Sequence, residues 1–198
     1  MKLKRKITNV CVYCASSTQC DPIFFEVAEQ LGRELVNGGM HVVYGGGGVG
    51  LMGALADSAL AAGGKVVGVL PSFMLDLEWG HKSLTELRVV GGMHERKRIM
   101  IEESDAFIAL PGGCGTFEEL FEAITWKRLG LHTNPILLVN VNGFFDPCVE
   151  LLERSISERF MDQRHRNMWS VVVGVEDIVQ ALHNAPPWDE SARRFAAI

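Results

Sequence analysis

The chain has 198 residues, 47% of them hydrophobic and 22% charged, with a formal net charge of -5. That length and composition suit one globular domain with a sizeable core and exclude a disordered chain. The negative balance argues against nucleic acid as the main partner, and no apolar run is long enough to span a membrane. Lys2 to Lys6 is a short basic start without the apolar core of a signal peptide, so it reads as a solvated tail. The 5 cysteines, odd in number and without framework spacing, point to a reducing cytoplasm.

Residues 10–14 are the first expected strand, ending in the polar Ala15-Ser16-Ser17. Cys11 and Cys14 have the spacing of a redox or metal pair. Within a strand, however, residues three apart face opposite sides, and no second pair completes a zinc site, so they read as core cysteines. Asp21-Pro22 supplies an N-cap and a proline at the first helical position. The helix runs to about residue 36, where Asn37-Gly38-Gly39 closes it. Residues 41–44 are the second strand. Beyond it, Gly48, Gly50 and Gly53 match G-x-G-x-x-G in a strand-to-helix setting. A dinucleotide fingerprint also needs an acidic residue after the next strand, yet residues 65–70 run into Pro71-Ser72. NAD binding is therefore not expected. The loop suits either a nucleotide phosphate or close packing of helix on strand.

Residues 73–85 are expected to be irregular, with 75–85 near the substrate; they carry Glu78, Trp79 and His81. A short apolar run at 87–90 precedes Gly91-Gly92, which releases a helix starting Met93-His-Glu-Arg-Lys-Arg98. Cations in a first turn oppose the helix dipole. Such a breach suggests a functional demand, such as holding an anion. The alternative is a solvated basic face, and that is the reading for Arg98.

Residues 106–110 form a strand that Pro111 stops. Gly112, Gly113 and Gly115 then make a loop nearly bare of side chains. Thr116 is expected to open a helix, because Phe117, Phe121 and Ile124 recur at helical spacing. Strand, glycine turn and helix start together expose backbone N–H groups at a positive dipole end, which binds phosphate. Thr116 and Glu119 also have capping-box spacing, which would fold Glu119 back on its own helix terminus. The other reading sets a carboxylate beside an anion site for chemistry on the attached sugar. A strand at 135–141, a helix from Asp146-Pro147 to about 160, a strand at 169–173 and a helix at 176–183 complete the pattern.

Strand-length apolar runs alternating with helical patterns imply an α/β fold, a Rossmann-like doubly wound, mainly parallel sheet with helices on both faces. One domain is expected over 1–198, with 1–7 and 187–198 as tails. Ligands in such sheets bind at the carboxyl ends of strands where the strand order switches. If the first strand neighbours 106–110, the loops at Ser16-Ser17, Gly45 to Gly50 and Pro111 to Thr116 meet there.

Two motifs, Pro111-Gly-Gly-x-Gly-Thr-x-x-Glu119 and Met93-His-Glu-Arg-Lys97, resemble those of the LOG family, the cytokinin riboside 5′-monophosphate phosphoribohydrolases. Bacterial members have carried the label "lysine decarboxylase-like". Cys14-Ala-Ser-Ser17, Tyr44-Gly-Gly-Gly47, Gly50-Leu-Met-Gly53 and Ile124-Thr-Trp126 extend the resemblance over nearly the whole chain. It implies hydrolysis of the N-glycosidic bond of a nucleoside 5′-monophosphate, a cytokinin ribotide or AMP, to free base and ribose 5-phosphate. It implies Arg96 and Glu119 as the catalytic pair. Around the substrate it places Lys97, Glu78 and the loop Gly112, Gly113, Cys114, Gly115 and Thr116; Ser16, Gly46 and Gly47 come from the other two loops. No metal and no cofactor are expected. The expected partners are the nucleotide and a second copy of the chain, as a homodimer with the site near the interface. A non-catalytic nucleotide carrier or sensor is the competing expectation, since fold does not fix function. Pyridoxal-phosphate decarboxylation is not expected, because it requires a Schiff-base lysine with an acidic partner for the pyridine nitrogen.

Overall fold

The computed structural model describes residues 6–77 and 79–196. Its strands are β1 Asn9–Tyr13, β2 His41–Tyr44, β3 Val66–Pro71, β4 Glu86–Val90, β5 Ala106–Ala109, β6 Ile136–Val139 and β7 Ser170–Val172. They form one sheet in the order β4-β3-β2-β1-β5-β6-β7, and every pairing is parallel. Between them lie α1 Pro22–Asn37, α2 Gly50–Ala61, α3 Ser72–Asp76, α4 Met93–Glu102, α5 Cys114–Arg128 and α6 Asp146–Ser157, and α7 Ile178–Asn184 follows β7.

The core follows from the two-residue period of the strands. In β1, Val10 and Val12 join a cluster with Leu31 and Leu35 of α1, Leu51 and Leu55 of α2 and Leu182 of α7. Cys11 and Tyr13 point the other way, to Met100 of α4, Leu120 and Ile124 of α5 and Ile156 of α6. The sheet is thus covered on both faces, as a parallel sheet must be. Cys11 and Cys14 lie in opposite clusters and are unbridged, and burial pushes both thiols well above their ordinary range.

Several boundaries differ from the sequence reading. Residues 73–85 are not wholly irregular, since α3 occupies their start. Helix α5 begins at Cys114, not Thr116, because Gly113 takes an extended conformation (φ -96°, ψ -157°) and becomes the N-cap. Strand β6 ends at Val139, and a 3-10 turn follows in which Asn142 is left-handed (φ 51°). Nor is the C-terminal stretch a free tail from 187. Trp188 donates its indole N–H to the carbonyl of Lys127 at 2.8 Å, Arg128 donates to the carbonyl of Ala196 at 2.6 Å, and Ala192 is buried.

The topology matters most at one point. Strand order runs outward from β1 through β2 on one side and through β5 on the other. The loops leaving β1, β2 and β5 therefore splay apart at the carboxyl edge and leave a crevice between them.

Candidate active site

That crevice is a cleft of about 470 Å³. Ser16 and Ser17 follow β1, Gly45 and Gly47 follow β2, and Gly113 to Thr116 follow β5; all line it, as do Arg96 and Glu119. Gly46 and Gly112, expected at the substrate, are not part of this lining. Gly46 is left-handed (φ 78°), and a Cβ on Gly112 would stand 2.1 Å from the Thr116 hydroxyl oxygen.

The centre of the site is a buried ion pair. Arg96 Nη1 lies 2.7 Å from Glu119 Oε1, and both residues are only 7% exposed. Three fixtures hold the guanidinium. Its Nε–H donates to the carbonyl of Val69 at 3.0 Å, Nη2 donates to the carbonyl of Gly45 at 3.4 Å, and Nη1 meets Glu119. Helix α4 brings Arg96 to β2 and β3, while α5 brings Glu119 from beyond β5, so the pair spans the switch in strand order. Burial raises the Glu119 carboxyl above the ordinary carboxylate value; the charge of Arg96 and its hydrogen bond pull it part of the way back. A carboxyl held in this balance changes protonation closer to neutrality than a surface glutamate does. Buried groups at functional sites are commonly tuned so.

The capping box does not form. The N-cap is Gly113, no side chain caps that end among the described residues, and Glu119 turns to Arg96 instead. Two consequences follow. Glu119 is free of its own helix terminus, and the first N–H groups of α5 have no intrahelical acceptor. Such an end attracts an anion through its N–H groups and its dipole.

The other glycine loop resolves toward packing. The N–H of Met52 in the first turn of α2 donates to the carbonyl of Ala15 at 3.2 Å. Gly50 is left-handed (φ 65°), and a Cβ there would stand 2.4 Å from the carbonyl carbon of Ser16. A Cβ on Gly53 would come within 2.7 Å of the carbonyl oxygen of Gly48. Gly50 lets the β1 loop lie directly on the start of α2, and Gly53 lets the glycine loop close on the same helix.

Lys97 departs from its expected place. Its ammonium does not line the cleft but sits between Glu118 at 2.8 Å and Glu122 at 2.9 Å on α5. Burial would lower its pKa, yet the two carboxylates outweigh this and hold it above the ordinary lysine value. Lys97 thus fastens α4 to α5, which fixes Arg96 relative to Glu119. Arg98 is exposed and pairs with Glu102 one turn along at 2.6 Å. Glu78 lies outside the described residues.

Trp79 falls in the stretch expected near the substrate, but sequence reasoning missed the rest of the apolar lining, including Val49, Met52, Leu70, Met74 and Met93. Methionines fill irregular gaps and follow no period. The one available signal was position, since Met93 opens a motif and Trp79 lies between Glu78 and His81.

The family model described as "possible lysine decarboxylase" matches residues 52–182. The chain is 47% identical over 153 residues to a protein of Oryza sativa subsp. japonica named a probable cytokinin riboside 5′-monophosphate phosphoribohydrolase, covering 77% of this chain and 69% of that one. A Rhodococcoides fascians protein named a cytokinin riboside 5′-monophosphate phosphoribohydrolase is 43% identical over 177 residues, 89% of each chain. Among solved structures, a molybdenum cofactor carrier protein from Chlamydomonas reinhardtii aligns with a TM-score of 0.66 over 89% of this chain and 96% of that one, at 22% identity. Likeness at that identity is likeness of fold. The decarboxylase description implies pyridoxal phosphate, and the residues present do not fit it: among the described residues no lysine lines the cleft to form a Schiff base.

Proposed function

This chain belongs to the LOG family of cytokinin riboside 5′-monophosphate phosphoribohydrolases, and we propose that Glu119 and Arg96 carry its reaction in the cleft between the β1, β2 and β5 loops. The reaction is hydrolysis of the N-glycosidic bond of a nucleoside 5′-monophosphate, giving free base and ribose 5-phosphate. Breaking that bond builds positive charge on the sugar. An ionised Glu119 stabilises the cationic carbon and accepts a proton from the attacking water.

The 5′-phosphate sits on the uncapped start of α5, at Gly113 to Thr116. Glu119 is five residues past Cys114, about 7.5 Å along a helix axis at 1.5 Å per residue. That separation suits a ribose lying between the phosphate and the carboxylate. Arg96 holds Glu119 in place and favours its charged form against burial. The observation that carries this reading is the buried 2.7 Å Arg96–Glu119 pair facing the same cleft as a helix end without a side-chain cap.

A carrier or sensor requires no buried carboxylate at the sugar, and relatives at 36–47% identity are named as hydrolases. Assembly as a homodimer belongs to the same reading, supported by Leu129 and Leu131 exposed at the end of α5. A cytoplasmic setting is supported by the five unbridged cysteines, and no helix among the described residues is long and apolar enough to cross a membrane. A net charge of -5 supports the absence of a nucleic-acid partner. The test is incubation with AMP and with its N6-isopentenyl analogue, followed by chromatography for base and ribose 5-phosphate. Release of base that is lost in Glu119→Gln supports the assignment; a fully active Glu119→Gln refutes it.

A further inference from the structure

The cleft's polar groups converge on the phosphate and ribose, which leaves its apolar side for the base. Trp79 and Met74 lie on that side; Trp79 is 52% exposed, and its backbone N–H donates to the carbonyl of Met74 in α3 at 3.2 Å. Segment 79–81 is laced to the glycine loop after β2. The N–H of Gly48 donates to the carbonyl of Trp79 at 3.0 Å, the N–H of His81 donates to the carbonyl of Gly46 at 2.9 Å, and Gly47 and Gly80 form an antiparallel bridge. A Cβ on Gly80 would stand 3.2 Å from both Leu70 and Leu75, so the segment presses closely on the body.

The ring of His81 secures this lacing. Its side chain is 8% exposed. Nδ1 accepts from the N–H of Ser83 at 3.1 Å, which puts the ring proton on Nε2, and Nε2 donates to Asp57 Oδ1 at 3.0 Å. Asp57 belongs to α2, outside the cleft lining, and its side chain is 73% exposed. Left without Asp57, the buried Nε2–H would lose its acceptor, which is costly for a group shielded from water.

We propose that Asp57 and His81 are positioning residues that fix the Trp79 wall against which the nucleobase rests, so that they govern affinity for the base while bond cleavage stays with Glu119 and Arg96. This rests on the hydrolase reading given above. A tryptophan face and methionine thioethers form a surface on which an aromatic base stacks without base-specific hydrogen bonds.

The experiment compares kcat and KM for AMP and for its N6-isopentenyl analogue in Asp57→Ala, Asp57→Asn and His81→Ala, with ribose 5-phosphate binding measured by calorimetry. Asp57→Ala is expected to raise KM for both nucleotides about 3- to 10-fold, the scale of one lost hydrogen bond, with kcat within about twofold. Asp57→Asn still offers an oxygen to Nε2–H and is expected to restore KM. Ribose 5-phosphate, which lacks a base, is expected to bind all variants alike. The proposal is overturned if KM is unmoved in both alanine variants, if kcat falls at constant KM, or if ribose 5-phosphate binding weakens in parallel. Should the wild-type protein cleave neither nucleotide, the hydrolase reading fails instead. The same variants are then compared by their Kd for AMP, where a loss in Asp57→Ala recovered in Asp57→Asn sustains the positioning role and no loss overturns it.

Discussion

A Cβ on Gly45 would stand 2.0 Å from Nη2 of Arg96. The glycine is there to leave room for a guanidinium, since its own backbone is not left-handed. Gly45→Ala is therefore expected to push Arg96 off its contacts with Val69, Gly45 and Glu119. A displacement on that scale costs on the order of 10²-fold in kcat/KM. Steady-state kinetics beside a thermal melt check this, with activity falling far more than Tm.

Glu119→Gln is expected to lower kcat by roughly 10²–10⁴-fold, the range for a positioned acid–base group. Its effect on stability should be mild, because Arg96 keeps its two carbonyl acceptors. Arg96→Met is expected to behave oppositely on stability. It strands a buried carboxylate without its partner, a change that costs about 3–5 kcal/mol. Urea unfolding of the two variants side by side measures the asymmetry.

The pH dependence follows from the raised pKa of Glu119. The proposed mechanism uses the ionised form, so the acidic limb of kcat/KM is expected above the ordinary glutamate value of about 4.3. Arg96→Met removes the charge that opposes burial and should move the limb higher. The sign for stability is the reverse of that for a surface carboxylate. Glu119 binds its proton more tightly folded than unfolded, so its contribution is fully present below the unfolded pKa and is lost as pH rises through the folded one. A pH–rate profile for the wild-type protein and Arg96→Met tests the direction.

Lys97→Met keeps the aliphatic packing and deletes the cation that Glu118 and Glu122 share. The two carboxylates then repel each other across one helical turn. The variant is expected to melt a few degrees below wild type at neutral pH and to lose kcat through a loosened Arg96. Glu118 has a lowered pKa because of its hydrogen bond to Lys97, so that pairing stabilises above the unfolded glutamate value and fades as acid titrates the folded group. The two Tm curves should therefore converge at low pH.

How far the sequence disclosed this site depended on which force placed each residue. The runs at His41–Tyr44 and Ala106–Ala109 were legible because strands buried on both faces are continuous apolar runs. Arg96 and Glu119 were legible as motif members, but their 2.7 Å contact was not, since the packing of two helices, α4 and α5, on one face of the sheet creates it. The capping box at Thr116 misled because the start of α5 is set by the extended backbone of Gly113, three residues earlier. Lys97 misled for a related reason: the packing of α4 against α5 decides which flank of the helix faces the cleft. The docked stretch from Trp188 to Ala196 has a polar composition, and hydrogen bonds of Trp188, Arg193 and the Ala196 carbonyl to the end of α5 and Gly130 seat it.

The Ala15 carbonyl on the Met52 N–H has a further effect on what the crevice admits. In folds of this kind a pyrophosphate bridge rests on the helix that follows a glycine fingerprint. Here that berth is already filled by the chain's own backbone. On the reading proposed above, one phosphoryl group rests on α5, and no matching seat is expected across the crevice. With that berth filled, the cleft is expected to accommodate mononucleotides and to turn dinucleotides away, a filter built from a single peptide oxygen.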